Sequence, residues 1–160
     1  MNKPNYIIIH GTDVSWQRLP NQLNSVNNYH KSQDFPLSRL GYYVGYHVLI
    51  TGGVNYRCRM DSEIGAHTNQ QENGLSLNQQ SLGVCVGFDG DIEYPHPNDL
   101  VLLKRQIKSW QNMYGIPDER VVYHRHFNTT KTCPGSLLGD EWLKNLLESL
   151  NSELPGIMEL

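Results

Sequence analysis

The stretch YIIIH, residues 6–10, decides the fold of this chain. A tyrosine and three isoleucines form a continuous apolar run, and β-branched and aromatic residues in such a run are typical of a buried strand. Strands buried on both faces belong to sheets that helices cover on both sides. The run ends on His10, so we expect this strand to deliver an imidazole to one edge of the sheet.

The rest of the chain alternates between helical and strand patterns. Apolar residues recur at helical spacing between residues 19 and 31, and two glycines, Gly52 and Gly53, separate two β-rich runs in the manner of a hairpin turn. After the first strand, the predicted elements are a helix over 19–31, a hairpin over 46–58, a strand over 82–88, a helix over 99–114, a strand over 120–123 and a helix over 140–150. This order predicts an α/β fold, a single domain with a central mixed β-sheet flanked by helices.

One long segment, residues 62–80, shows no sustained period. It is polar, rich in asparagine and glutamine, and contains His67 and Thr68. Such a composition predicts a surface loop, and long loops in compact domains commonly carry function.

Composition excludes several classes of function. The chain has 160 residues, which is enough for one domain that buries about two-thirds of its unfolded surface. With 13 basic and 16 acidic residues and no basic block, it lacks the charge pattern of a nucleic-acid-binding protein. Three widely spaced cysteines do not resemble a disulfide framework. No apolar stretch approaches the roughly 20 residues of a membrane-spanning helix, so membrane insertion is not expected.

A second informative stretch, YHRHFNTTKTCPG at residues 123–135, brings two histidines, a lysine and a cysteine together. Zinc accepts nitrogen and sulfur ligands, and three protein ligands with one open position are typical of a catalytic site. Cys133 and either His124 or His126 are candidates here, with His10 as the third ligand. We favour His124 because it directly follows the predicted strand.

Cys133 has two other interpretations. A lone cysteine is often a small buried hydrophobic residue. It could also act as a nucleophile paired with a histidine, although no asparagine or aspartate motif accompanies it.

Four motifs in order carry a resemblance to a known family: a strand ending in histidine, a Gly-Tyr-His-Val strand start, a Gly-Ala-His-Thr loop and the final His-Arg…Lys-x-Cys-Pro-Gly. The chain resembles the type 2 N-acetylmuramoyl-L-alanine amidases, which include short phage amidases and animal peptidoglycan recognition proteins. The resemblance covers about residues 5–147 and implies one amidase domain over residues 1–160. It also implies a zinc site in a groove at one end of the sheet. Two departures are Gly11, where relatives often carry histidine or cysteine, and His126, where an acidic residue is common.

The resemblance also assigns roles to individual residues. It implies that zinc is held by His10, His124 and Cys133 and that Tyr46 and Lys131 are catalytic. Tyr46 would orient the attacking water or accept its proton, and Lys131 would place positive charge beside the oxyanion. Four further positions match polar groove residues that bind substrate in relatives, although each could equally be a loop, turn or cap residue: Thr12, His67, Thr68 and Asn78.

The implied reaction is hydrolysis of the amide between the lactyl group of N-acetylmuramic acid and the first L-alanine of peptidoglycan. We expect a monomeric, phage-type endolysin that stays cytoplasmic for lack of a signal peptide and reaches the cell wall during lysis. Two alternatives remain open at this stage. One is a cytoplasmic amidase that recycles muropeptides, and the other is a peptidoglycan-binding module without catalysis.

Overall fold

The chain folds around a five-stranded mixed sheet. A computed structural model describes residues 1–159, with the side chains of the last helix described as far as Leu150. The elements are β1 (Tyr6–Gly11), α1 (Leu23–Ser32), β2 (Val48–Thr51), β3 (Val54–Arg57), β4 (Gln71–Glu72), β5 (Leu75–Ser76), β6 (Ser81–Val86), α2 (Pro97–Tyr114), β7 (Val121–Tyr123) and α3 (Asp140–Glu159).

The sheet order β3-β2-β6-β1-β7 places β1 between two parallel neighbours. β2 is also parallel to β6, and only β3 runs antiparallel, as the second strand of the predicted hairpin. Ile9 lies opposite Tyr123 on β7, and His10 lies opposite Cys85 on β6. The carboxyl ends of β1, β6 and β7 therefore meet at one edge of the sheet.

Alternation along β1 divides the core between the two faces of the sheet. Ile7 and Ile9 pack with residues of α2 and α3 in the larger cluster, whereas Ile8 packs with Leu77 and Val122 on the opposite face. His10 has the parity of Ile8, so it points to the same face. α1 covers the neighbouring part of that face through contacts to a cluster that includes Cys85.

The predicted fold class is confirmed, and the bounds of several elements differ. The first helix begins at Leu23 rather than at residue 19 because Pro20 restricts the residue before it and cannot continue the preceding turn. The fourth strand of the central sheet in chain order, β6, ends at Val86 rather than at residue 88. The helix α2 starts two residues earlier than predicted, with Pro97 in its first turn after His96, whose ring accepts from Asn98 N–H. α3 continues past residue 150 to Glu159.

Residues 62–80 form only in part the surface loop that their composition predicts, since residues 62–70 have no regular secondary structure. They contain the β4–β5 hairpin and a 3₁₀ turn over Leu77–Gln79. Four of their side chains, those of His67, Thr68, Leu77 and Gln80, are buried. The prediction was wrong for the short elements and for the buried side chains, because a polar segment can satisfy its own backbone and still cover a sheet face. Among the described residues, no helix is long and apolar enough to cross a membrane.

Candidate functional site

Two histidines meet where neighbouring parallel strands end. His10 is the fifth residue of β1 and is 2% exposed, and His124 directly follows β7. Their ring centroids lie 4.5 Å apart. The pairing of β1 with β7 therefore brings together two imidazoles that are more than 100 residues apart in the sequence.

Cys133 reaches these histidines because the turn that follows it packs tightly against two other segments. A Cβ on Gly11 would lie 2.9 Å from the Pro134 carbonyl oxygen, and a Cβ on Gly90 would lie 2.2 Å from the same atom. Gly135 has a φ of 147° and lies against the Gly90 backbone. Side chains at these glycines would push the turn, and with it Cys133, away from β1.

Arg125 holds the same turn from the other side. Its guanidinium donates to the carbonyl oxygens of Thr132, Gly135 and Leu138, and its backbone N–H donates to the Cys133 carbonyl at 3.1 Å. The guanidinium also lies 4.4 Å from the Tyr123 ring centroid. The sequence motif His-Arg contained this residue, but its role in holding the turn had no sequence signal.

The structure groups His10, His124 and Cys133 as a possible metal site. One potential ligand atom from each residue lies within 4.8 Å of the other two. The ligand atoms of a tetrahedral zinc bound to nitrogen and sulfur would be roughly 3.3 to 3.8 Å apart, so small side-chain movements would suffice to bind it. His126, the alternative ligand, is exposed and stacks edge-on against Phe127 instead.

An orphaned nitrogen supports the fit to a cation. His124 Nε2 is buried and finds no hydrogen-bond partner within the described part of the chain. A buried polar atom without a partner costs free energy, and a metal ion would satisfy it.

The protonation states also suit a metal. Burial lowers the pKa of His10 well below its usual value and lowers that of His124, so both rings are neutral near pH 7 and can offer lone pairs. Burial raises the pKa of the Cys133 thiol to about 11. A thiol of this kind is a poor nucleophile on its own, which argues against the Cys-His pair.

Tyr46 and Lys131 lie in the same cleft as the three candidate ligands. The cleft has a volume of about 310 Å³, and the Tyr46 ring centroid lies 4.9 Å from that of His10. Lys131 also lines the cleft, and its side chain is exposed. A second hollow of about 420 Å³ shares Thr12, Tyr29 and Tyr46 with the first, so the groove continues along α1.

The four residues predicted to bind substrate occupy different settings. Thr12 lines the cleft, and its hydroxyl donates to Gln22 Oε1 at 2.6 Å. Thr68 also lines it, and its hydroxyl donates to Gln70 Oε1. His67 borders the cleft but is only 8% exposed.

Asn78 holds the neighbouring backbone. Its Oδ1 accepts from the N–H groups of His67 and Thr68, at 3.0 and 3.1 Å, and its Nδ2 donates to the Thr68 carbonyl at 2.7 Å. The side chain therefore fixes the loop that carries His67.

Comparison with known proteins decides the family. The profile of the N-acetylmuramoyl-L-alanine amidase family matches residues 1–136, which is most of the chain and includes all three candidate ligands. The chain belongs to this family. No curated protein sequence matches it significantly.

Solved structures of amidases and recognition proteins share the fold. The N-acetylmuramoyl-L-alanine amidase LysC from Clostridium intestinale URNW is 24% identical, with a TM-score of 0.71 over 92% of this chain and 87% of that one. The Ph2119 endolysin from Thermus scotoductus MAT2119 bacteriophage Ph2119 is 20% identical, with a TM-score of 0.67 over 91% and 86%. A Drosophila PGRP-LB mutant in complex with tracheal cytotoxin is 24% identical, with a TM-score of 0.65 over 85% and 78%.

Proposed function

We propose that this amidase-family chain is zinc-dependent and cleaves the amide between the lactyl group of N-acetylmuramic acid and the first L-alanine of peptidoglycan. The observation that carries the proposal is the convergence of His10, His124 and Cys133, whose possible ligand atoms lie within 4.8 Å of one another, with Tyr46 and Lys131 in the same cleft. The buried and unpartnered His124 Nε2 supports it. Three protein ligands leave one position open, as in catalytic zinc sites.

An amide is a poor electrophile, so the reaction needs both an activated water and a polarised carbonyl. When bound, zinc supplies both by lowering the pKa of water and acting as a Lewis acid. The ligand residues also suit the charge that such a site needs. Two neutral imidazoles and one thiolate would give a site with a net charge of about +1.

Tyr46 acts as a phenol in this mechanism. Burial is the main cause that raises the pKa of Tyr46 well above its usual value, and the nearby Cys85 and Cys133 raise it further. The hydroxyl therefore keeps its proton at neutral pH. Of the two roles expected from the sequence, orientation of the attacking water is therefore favoured over acceptance of its proton. The hydroxyl can also donate to negative charge that develops on the substrate carbonyl.

Lys131 supplies positive charge in the cleft, where its side chain is exposed. It lies two residues before Cys133, and its backbone N–H donates to the Asn128 carbonyl at 3.2 Å. An ammonium group in the cleft stabilises the tetrahedral oxyanion, and Lys131 is not one of the three candidate ligands. Loss of the lysine should therefore reduce turnover and leave metal binding intact.

The test is release of new N-terminal alanine amines from purified peptidoglycan, with and without a chelator and with zinc added back. We expect release that the chelator abolishes and zinc restores. Lys131→Ala should retain zinc and lose about 100-fold in rate, by analogy with loss of an oxyanion donor. Lys144→Ala, which removes an exposed lysine on α3, is the matched control and should match the unmodified chain.

Two results would contradict the proposal. Chelator-resistant release would remove the zinc dependence. Tight binding to peptidoglycan with no release would indicate a recognition module instead of an enzyme.

We further propose a phage-type endolysin setting, with intact peptidoglycan as the substrate and lysis as the event that gives access to it. The proposal is supported by the fold shared with the Ph2119 endolysin and with LysC. Digestion of intact sacculi, followed by loss of turbidity, tests the setting. Cleavage of soluble muropeptides alone would indicate a recycling amidase.

A further inference from the structure

We propose that His67 and Ser81 act as positioning residues that fix the tautomer of His10, so that His10 presents an unprotonated Nδ1 to the metal. The inference rests on the zinc-dependent function proposed above. It assigns His67 to the support of a ligand instead of to substrate binding.

The direction of the hydrogen bonds starts at a backbone carbonyl. Ser81 Oγ lies 2.5 Å from the Leu77 carbonyl oxygen, which can only accept, so the single hydroxyl proton of Ser81 is committed to it. His67 Nε2 lies 3.2 Å from the same Ser81 Oγ. Because the serine has no second proton to give, His67 Nε2 must carry the proton of this bond and donate it.

The same reasoning continues to His10. A neutral imidazole carries one N–H, so a proton on His67 Nε2 leaves its Nδ1 as an acceptor. His10 and His67 are only 2% and 8% exposed, and burial disfavours the charged form of an imidazole, so both rings are neutral. His67 Nδ1 lies 2.9 Å from His10 Nε2, which must therefore donate. His10 Nδ1 is then unprotonated, and it lies 4.0 Å from Cys133 Sγ, on the side of the candidate metal site.

Packing holds the His67 ring in the orientation that this chain of bonds requires. A Cβ on Gly83 would lie 2.7 Å from His67 Cγ, and a Cβ on Gly65 would lie 2.6 Å from His67 Cδ2. The ring is therefore packed between two stretches of backbone that have no side chain at the point of contact. Asn78 fixes the backbone of the same residue through the bonds described above.

If every hydrogen bond in this series ran in the opposite direction, a proton would occupy the nitrogen that must bind the metal. With the opposite tautomers, His67 Nδ1 would donate to His10 Nε2, and His10 Nδ1 would carry a proton where the cation must bind. Metal binding would then require both rings to change tautomer. Groups that orient a ligand histidine in this way typically contribute about 10- to 100-fold to metal affinity.

The first test compares two buried serines. Ser81→Ala removes the acceptor that holds the proton on His67 Nε2, and zinc affinity, measured by competition with a chromogenic chelator, should fall by about 10- to 100-fold. Ser38→Ala is the matched control, since Ser38 is also buried and donates to a carbonyl, that of Cys58, at 2.6 Å. It should leave zinc affinity unchanged. Equal affinities for the two variants would overturn the proposal.

The second test changes His67, whose Nδ1 accepts the hydrogen bond from His10. Asn in place of His67 offers Oδ1 near the position of the imidazole Nδ1, so His67→Asn should keep most of the zinc affinity. His67→Leu has a similar shape and no acceptor, so it should lose affinity as Ser81→Ala does. Unfolding by urea for each variant separates a loss of fold from a loss of metal. Asn and Leu variants with the same zinc affinity would contradict a positioning role.

The deciding readout is independent of activity and of metal. Imidazole ¹⁵N NMR of the metal-free chain reports which ring nitrogen carries the proton, and we expect Nε2–H for both His10 and His67. An Nδ1–H tautomer of His10 would overturn the proposed positioning by His67 and Ser81, whether or not zinc binds. The chain could also show the expected tautomers and yet hydrolyse peptidoglycan without metal. That result would overturn the proposed zinc function and leave the hydrogen-bond assignment intact.

Discussion

Zinc binding to this chain should release one proton, and that proton should come from Cys133. Burial raises the pKa of the Cys133 thiol to about 11, so at pH 7 fewer than about one molecule in a thousand carries the thiolate that zinc requires. His10 and His124 have lowered pKa values and are already neutral, so they contribute no proton. Deprotonation of the thiol at pH 7 costs about 5 kcal/mol, which zinc must offset.

The sign of the pH dependence follows from these directions. The metal-free site holds the Cys133 proton up to about pH 11. Each unit of rising pH lowers the cost of removing that proton by about 1.4 kcal/mol, so zinc affinity should rise about tenfold per unit. At low pH the slope should steepen, once the histidines also bind protons.

Calorimetry in buffers of different ionisation enthalpy counts the released protons directly. At pH 6.5 we expect the unmodified chain to release one proton more than Cys133→Ala. Cys58→Ala is the matched control because Cys58 is a buried thiol outside the ligand group, with a pKa raised by burial to about 12. It should bind zinc and release the same number of protons as the unmodified chain. Equal proton release with and without Cys133 would refute the reasoning.

Three further predictions concern the catalytic and supporting residues. Tyr46→Phe should retain zinc and lower the rate of amine release by about 100-fold, because it removes only the hydroxyl. Gly83→Ala should lower the free energy of unfolding in urea by roughly 1–3 kcal/mol and weaken zinc binding, because the added Cβ meets the His67 ring. Gly139→Ala is the control and should have neither effect, since its Cβ would meet no atom within 4 Å in the described chain. Arg125→Lys should lower that free energy by about 1–3 kcal/mol because one ammonium cannot reach three carbonyl oxygens, and an unchanged unfolding midpoint would contradict its role in holding the turn.

Local pattern was sufficient to predict the central strand and its histidine. The apolar run from Tyr6 to Ile9 has no alternation, so it indicated burial on both faces, and His10 followed directly from its position at the end. The ends of helices were harder to predict. The apolar spacing between residues 19 and 31 continued across Pro20, and pattern alone did not weigh the restriction that proline places on the preceding residue.

The segment over residues 62–80 shows where composition misleads. Its polarity indicated exposure to solvent, yet two of its amide side chains donate hydrogen bonds to its own backbone. Asn78 donates to the Thr68 carbonyl, and Gln80 donates to the carbonyls of Glu72 and Leu75. A segment that satisfies its own polar groups can lie against a sheet and bury a histidine. Sequence could supply the residue type at position 67 but not its burial.

The family resemblance predicted the three ligands, whereas the packing that brings them together had no sequence signal. His10 and Cys133 come close because Gly11, Gly90 and Gly135 leave room for backbone to meet backbone, and these glycines lie in three separate segments. His67 reaches His10 for the same reason, through missing side chains at two further glycines. The proton positions then depend on Ser81, whose hydroxyl is set by a carbonyl four residues earlier. In the sequence, nothing distinguishes these glycines and this serine from others of their type. Their roles follow from the neighbours that the folded chain places against them.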